Sequence, residues 1–290
     1  MGLRLIHTAS EFRSACDEVR FQGGSLGLVP TMGALHVGHL ALVHDAKRRA
    51  SKVAVTLFVN PTQFSAGEDF GRYPRTLDRD REACEQAGVD LLFVPSVDEM
   101  YPPNDSTRVR VTGISEPLCG AFRPGHFEGV ATVVAKFFGI AGACTAVFGK
   151  KDYQQFKVIE RFTRDLMLPV TIVGHPIVRE PDGLAMSSRN AYLSSDERAR
   201  ATAIVRGLSS AYKLFVSGER SAERLLGSIK SCIVDAHLDP QYVEIADAET
   251  LDSLSQSPAL PERALVAVAA FCGKTRLIDN VVLGEDPDPL

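Results

Sequence analysis

His36 and His39 lie three residues apart in "PTMGALHVGHLALV", residues 30–43. Imidazole N–H groups can stabilise charge that builds on a phosphate during a reaction, or supply it with a proton. Gly33 and Gly38 stand beside them, and glycine lets a backbone come close to a ligand. Upstream, "SLGLV" (25–29) is an apolar run of strand length; downstream, "LALVHDAKRRA" (40–50) has helical spacing. The histidines therefore fall on a strand-to-helix turn. Ligands of open parallel sheets bind outside the carboxyl ends of the strands, and the first amides of a helix favour phosphate. The turn reads equally as a phosphate site with two imidazole donors and as a glycine-containing loop whose histidines bond locally. No third ligand of fitting spacing supports a two-histidine metal site.

Elements able to position such a turn recur along the chain. "KVAVTLFV" (52–59) and "VDLLFVP" (89–95) predict strands, and "TLDRDREACEQAG" (76–88) between them predicts a helix stopped at Gly88. "VATVVAKFFGIAGA" (130–143) has the length of a buried helix, and "TAVFG" (145–149) that of a short strand. "DYQQFKVIERFTRDLM" (152–167) carries Phe156, Ile159, Phe162 and Leu166 along one face, with Asp152 as its N-cap. "PVTIVGHPI" (169–177) adds a strand. Strands alternating with helices imply βαβ units and a parallel sheet. The texture changes after Pro176. Asp182-Gly183 predicts a hairpin turn, and Ser194 with Glu197 predicts a capping box opening one long helix through Phe215. A further helix near 221–238 and strands near 241–248, 264–273 and 275–283 follow, ahead of a frayed tail, "GEDPDPL". The expected architecture is α/β: a Rossmann-like parallel-sheet domain, 1–176, then a smaller α+β domain, 177–290.

Composition narrows the function classes. Apolar residues make up 45% and charged residues 23%, the balance of a soluble globular protein. A net charge of −4 gives no basic field for nucleic acid. No apolar run approaches the ~20 residues of a membrane span. The N-terminal stretch lacks the apolar segment of a secretion signal. The six cysteines form no CxxC pair and read as reduced thiols of a cytoplasmic protein, with no zinc site. "GKT" at 273–275 is an ordinary turn, because Val268 stands where a phosphate-binding loop needs its first glycine.

The blocks "VPTMGALHVGHL", "FVNPTQF", "YPRT", "RPGHFEGVATVV", "FGKKDYQQ" and "DGLAMSSRNAYLS" occur in this order between residues 29 and 194. Together they resemble the pantoate–β-alanine ligases of the HxGH nucleotidyltransferase superfamily. The resemblance implies a Mg²⁺-dependent reaction of pantoate, ATP and β-alanine through pantoyl adenylate, in a homodimer. It implies that His36 and His39 contact ATP, with His39 the proton donor. Met32, Gly33, Ala34, Leu35, Val37 and Gly38 would line adenosine and phosphates. Gly149, Lys150, Lys151 and Asp152 would continue the ATP site, with Lys151 catalytic; Lys150 stands where many relatives have Glu or Gln. Val178 would touch adenine through its backbone. Met186, Ser187, Ser188 and Arg189 resemble a reduced KMSKS loop that serves the leaving pyrophosphate, in a C-terminal lid.

Gln63 and Gln155 would bind pantoate, since an amide offers both donor and acceptor without fixed charge. Arg123 and His126 are assigned to the carboxylate end of the substrates, with a structural turn as the alternative. Asp78, Asp80 and Glu82 could hold magnesium, but read better as charge at a helix N-terminus, with the metal on ATP phosphates and water. A nucleotidylyltransferase that leaves AMP on its product would share the turn; the paired glutamines favour the ligase. A non-catalytic sensor has little use for His36, His39, Lys151 and Arg189 together, and a tRNA-charging enzyme is disfavoured by charge and length.

Overall fold

Valine- and leucine-rich runs buried on both faces favour a parallel sheet covered by helices, and the computed structural model, which describes residues 2–65 and 68–290, contains one. The strands are β1 (Arg4–Ile6), β2 (Leu26–Thr31), β3 (Lys52–Leu57), β4 (Leu91–Phe93), β5 (Cys144–Gly149) and β6 (Val170–His175). All pairs are parallel, in the order β1-β4-β3-β2-β5-β6. The helices between them are α1 (Ala9–Phe21), α2 (Val37–Arg49), α3 (Leu77–Ala87), the short α4 (Val97–Met100) and α5 (Cys119–Phe122), α6 (His126–Ala141) and α7 (Tyr153–Asp165). The chain divides into two compact units; the first joins the sequence up to Ser115 with Arg123–Lys150 and Gln155–Pro176.

Alternation along the strands builds two cores in that unit. On one face Val29, Val55, Leu92 and Val147 pack with Val43 and Ala46 of α2 and Cys84 of α3. On the other, Phe12 of α1 stacks on Phe93 at 4.5 Å, and Phe137 of α6 meets Phe93 edge-on. The expected Gly88 stop is present, with φ +72 and its N–H on the Cys84 and Glu85 carbonyls. From β2 the chain steps to β3 and β4, then returns to β5 on the other side of β2. The carboxyl ends of β2 and β5 thus border the crevice where strand order reverses, the usual ligand position of such sheets. β1 and α1 have no counterpart among the elements expected from the sequence. Thr8 caps α1 by accepting from Glu11 N.

The second unit comprises Glu116–Phe122, Lys151–Gln154 and Ile177–Leu290. It holds α8 (Ser195–Ala201), α9 (Ala203–Val216), α10 (Ala222–Asp235) and an antiparallel sheet of β7 (Asp239–Ala246), β8 (Ala264–Cys272) and β9 (Thr275–Leu283), ordered β7-β8-β9. Ile204, Leu208, Leu225 and Ile229 of the helices meet Val243, Val266 and Val281 of the sheet. The Ser194–Glu197 capping box forms. The single long helix does not: it breaks at Thr202, whose hydroxyl donates to the Ala199 carbonyl at 2.8 Å and accepts from Arg206 Nη1, a local bond that competes with helix continuation. The tail is tied rather than frayed, since Asp286 Oδ2 accepts from Val282 N and Asp288 lies 3.5 Å from Lys213 Nζ. Gly273 and Lys274 form the turn between β8 and β9. No helix among the described residues is long and apolar enough to cross a membrane.

Gly129 of α6 lets the backbone of the 61–63 turn come close. A Cβ there would press on the Thr62 carbonyl, 2.6 Å from its carbon and 2.7 Å from Gln63 N. Gly129→Ala is expected to lose about 1–3 kcal/mol of stability by overpacking and to displace the 61–63 turn. Urea denaturation checks this; an unchanged midpoint would show that the turn yields freely.

Candidate active site

The turn after β2 sits at the carboxyl edge, where the sequence places it. Gly33 (φ +84) and Ala34 (φ 51) both adopt the left-handed region, which costs little for glycine and more for alanine. A buried carboxylate compensates. Asp80 of α3 accepts from Ala34 N at 2.9 Å and Leu35 N at 2.8 Å, and from Thr76 Oγ1 at 3.2 Å. Thr31 Oγ1 accepts from Gly33 N and donates to the Thr56 carbonyl. So held, the chain reaches His36 in an extended conformation and α2 begins at Val37. The first turn of the helix therefore lies beside both histidines, and the His36 side chain accepts from the His39 amide.

The imidazoles stack, with centroids 4.0 Å apart and planes at 27°. His36 N donates to His39 Nδ1 at 3.4 Å. That bond makes Nδ1 an acceptor, so a neutral His39 carries its proton on Nε2. Gly149 ends β5 and Lys150 follows it, on the neighbouring strand end.

Gln63 closes a 3₁₀ turn, Pro61–Gln63, beyond the end of β3. Its side chain is fixed at both amide atoms: Oε1 accepts from Asn60 Nδ2 at 3.1 Å, and Nε2 donates to Met32 Sδ at 3.1 Å. Asn60 is only 1% exposed. It also donates to the Gly129 carbonyl and accepts from Thr62 N, Thr62 Oγ1 and Tyr101 Oη. Asn60 is not among the residues expected from the sequence. The available signal was an Asn directly before Pro at a strand exit, a capping type.

Arg123 and His126 are engaged with the protein. Arg123 donates to Glu68 through Nε and Nη2, each at 2.7 Å, and its Nη1 lies 3.0 Å from His126 Nε2. Arginine only donates, so Nε2 accepts and Nδ1 carries the proton. His126 Nδ1 then donates to the Gln63 carbonyl at 2.8 Å. Glu68 N-caps the next 3₁₀ turn in position and accepts from Ser65 N. Burial pushes the Glu68 carboxyl up, but the Arg123 guanidinium, the Ser65 amide and His126 together more than offset this and hold it below its ordinary 4.5. Of the paired glutamines, Gln154 is buried and serves the second unit, bonding Cys119 N and the Pro117 carbonyl. Gln155 is half-buried in the first unit.

The second unit carries the remaining candidates. Lys151 and Asp152 lie in the 3₁₀ turn Lys150–Asp152, immediately before α7, with Lys151 Nζ 3.9 Å from Asp152 Oδ2. Asp152 closes that turn and directly precedes the first residue of α7. The expected hairpin is present: Arg179 pairs with Ala185 across Asp182-Gly183, and Met186 N donates to the Val178 carbonyl. Ser187 then caps a 3₁₀ turn, Ser188–Tyr192, by accepting from Arg189 N. Asn190 is held by Glu180 Oε1 and the Ala185 carbonyl.

No group of three or more His, Cys, Asp or Glu among the described residues could hold a metal. Asp80 in particular already accepts three protein hydrogen bonds, so the acidic cluster on α3 does not form a magnesium cage. All six cysteines are free, and burial pushes the thiols of Cys16, Cys84 and Cys144 up to about 12, which makes them poor nucleophiles.

A parallel sheet whose switch point carries an HxGH turn defines a nucleotide-handling α/β enzyme. Comparison with known proteins narrows the class. The sequence model of the pantoate-beta-alanine ligase family matches residues 4–282, and this chain belongs to that family. Pantothenate synthetase of Thermotoga neapolitana is 49% identical over 288 residues, covering 97% of this chain and all of that protein. The enzyme of Geobacter sulfurreducens is 48% identical over 98% of this chain and all of that one. A crystal structure of the Thermus thermophilus pantothenate synthetase superposes with a TM-score of 0.89 at 45% identity, covering 96% and 98% of the two chains. The Francisella tularensis pantoate-beta-alanine ligase, crystallised with beta-gamma ATP and β-alanine, superposes at 0.78 with 32% identity over 99% and 100%.

A group whose carboxyl is held low in the folded state stabilises above its unfolded value and loses that contribution as the pH falls through its folded value. Glu68→Gln is therefore expected to be less stable than the parent at pH 7. The difference should shrink as the pH drops below about 4.5, the ordinary carboxyl value. Urea midpoints at a series of pH values check this; a gap that persists at about pH 2–3, below the carboxyl range, would place the effect outside the ion pair.

Proposed function

We propose that this ligase joins pantoate to β-alanine through pantoyl adenylate, formed at the turn after β2. A carboxylate oxygen of pantoate attacks the α-phosphorus of ATP. The bond from that phosphorus to the bridging oxygen breaks, and pyrophosphate leaves. The amine of β-alanine then attacks the acyl carbon, loses a proton and displaces AMP. The observation that carries the reading is the turn itself: two stacked imidazoles and the first amides of α2, pinned by Asp80 where strand order reverses. Preorganised donors are most effective where charge develops. His39 donates from Nε2, the tautomer its bond with the His36 amide enforces, and His36 supplies a second imidazole. The backbone of residues 32–38 lines adenosine and phosphates, Gly149, Lys150 and Asp152 continue that lining, and Val178 meets adenine through its backbone.

Lys151 is a point charge for the phosphates. The loop from Met186 holds the leaving pyrophosphate through the Ser187 and Ser188 hydroxyls and the Arg189 guanidinium. Gln63 and Gln155 hold pantoate. Arg123 and His126 act on the backbone of Gln63, since their polar groups meet Glu68 and the Gln63 carbonyl. Magnesium enters with ATP, held by phosphates and water. The working form is a homodimer, as the resemblance implies, and its free cysteines suit the cytoplasm; sedimentation checks the stoichiometry.

Two measurements test the reading. With heavy oxygen in the pantoate carboxylate, one labelled oxygen is expected in AMP. Label in inorganic phosphate, with AMP unlabelled, would mean γ-phosphoryl chemistry and remove the roles of His36 and His39. His39→Ala is expected to slow single-turnover adenylate formation by about 10²–10³-fold, the usual loss for one transition-state donor, with ATP affinity nearly intact. Near-normal adenylate formation would refute its role as donor.

A further inference from the structure

Asp279 and Asn280 adjoin on β9, so their side chains leave the strand on opposite faces. Both are 4% exposed. Asp279 shares its face with Leu277, Val281 and Leu283, which enter the core under α9 and α10. There its carboxylate receives both Nη atoms of Arg179, at 2.7 and 3.1 Å. Arg179 Nη1 also donates to the Gly183 carbonyl at 3.0 Å, and its backbone pairs with Ala185. The ion pair therefore anchors the root of the hairpin that runs through Met186 into Ser187–Arg189. On the other face Asn280 Nδ2 donates to the Lys151 carbonyl at 2.8 Å. Two consecutive side chains of one strand thus hold both polar segments of the second unit.

Stability alone does not account for this choice. Apolar side chains of similar volume often serve a buried site as well as an ion pair does, or better. Apolar side chains could not grip a guanidinium and a backbone carbonyl at set distances. We propose that Asp279 and Asn280 are positioning residues that hold Lys151 and Ser187–Arg189 in one frame for the ATP phosphates. This rests on the reading that those side chains meet the phosphates. Misplacing a reacting group by about 1 Å can cost on the order of 10²-fold in rate.

Asn280→Asp tests the idea with little change of size: it removes the donor and faces the Lys151 carbonyl with an acceptor. Single-turnover adenylate formation is measured in the parent and in a Lys151→Ala background, with pantoate affinity by calorimetry and thermal unfolding alongside. A slowing of about tenfold or more is expected in the parent, within the range that misplacement allows, with pantoate affinity unchanged. No further slowing is expected in Lys151→Ala, because residues acting as one unit are not additive. Asn280→Ala, which deletes the donor without adding an acceptor, is expected to behave alike and replaces the first variant if that does not fold. Equal slowing in both backgrounds, or the parent rate in both, overturns the proposal while leaving the role of Lys151 intact. A parent rate for Lys151→Ala alone overturns the phosphate role of Lys151 and the proposal with it. Failure of both Asn280 variants to fold makes the residue structural and also overturns the proposal.

Discussion

One buried carboxylate governs the turn on which the proposed chemistry depends. Asp80 binds the amides of Ala34 and Leu35 from beneath, and does so from α3, more than forty residues along the chain. Those amides belong to a loop with two successive residues at positive φ, one of them alanine. Such a loop persists only where its surroundings over-determine it. The start of α2, the extended conformation of His36 and the bond that sets the His39 tautomer all follow from where this loop ends. The packing of α3 beside α2 is therefore part of the site, although no residue of α3 faces a substrate in the proposed mechanism.

Much of the fold was legible because its signals are local. The apolar runs of β2, β3, β5 and β6, the Gly88 stop of α3 and the Ser194–Glu197 box each declare themselves within a few residues. The break at Thr202 was hidden because threonine is tolerated inside helices, and only its bonds to Ala199 and Arg206 mark the interruption. β1 is three residues long with one buried position, too short for periodicity to register.

The candidate site divides along the same line. His36, His39, Gln63, Lys151 and Ser187–Arg189 were visible because their types, in compact motifs, match a chemistry. Asn60, Asp80 and Asn280 were not, because each acts on an amide or carbonyl of another segment, and a backbone group has no letter of its own. "DRDRE" on α3 reads as charge at a helix end, and only the folded chain singles out Asp80. Likewise "QQ" does not say that Gln154 faces Cys119 and Pro117 and so leaves Gln155 as the candidate. Arg123 and His126 read either as substrate ligands or as a structural turn, because their types alone do not choose. Their chemistry suits a carboxylate, and the structure supplies one from Glu68.

The stretch Ser187–Arg189 is short between its moorings. Met186 is bonded to Val178 on one side, and Asn190 to Glu180 and Ala185 on the other. Ordering the backbone of a free residue costs roughly 1–2 kcal/mol at room temperature, so a long floppy segment would incur that cost many times over at each turnover. Here at most a few residues have freedom to lose. In the proposed mechanism, nucleotide capture by this loop then carries only a small unfavourable entropy of ordering, leaving the hydroxyls and guanidinium to act with nearly their full enthalpy.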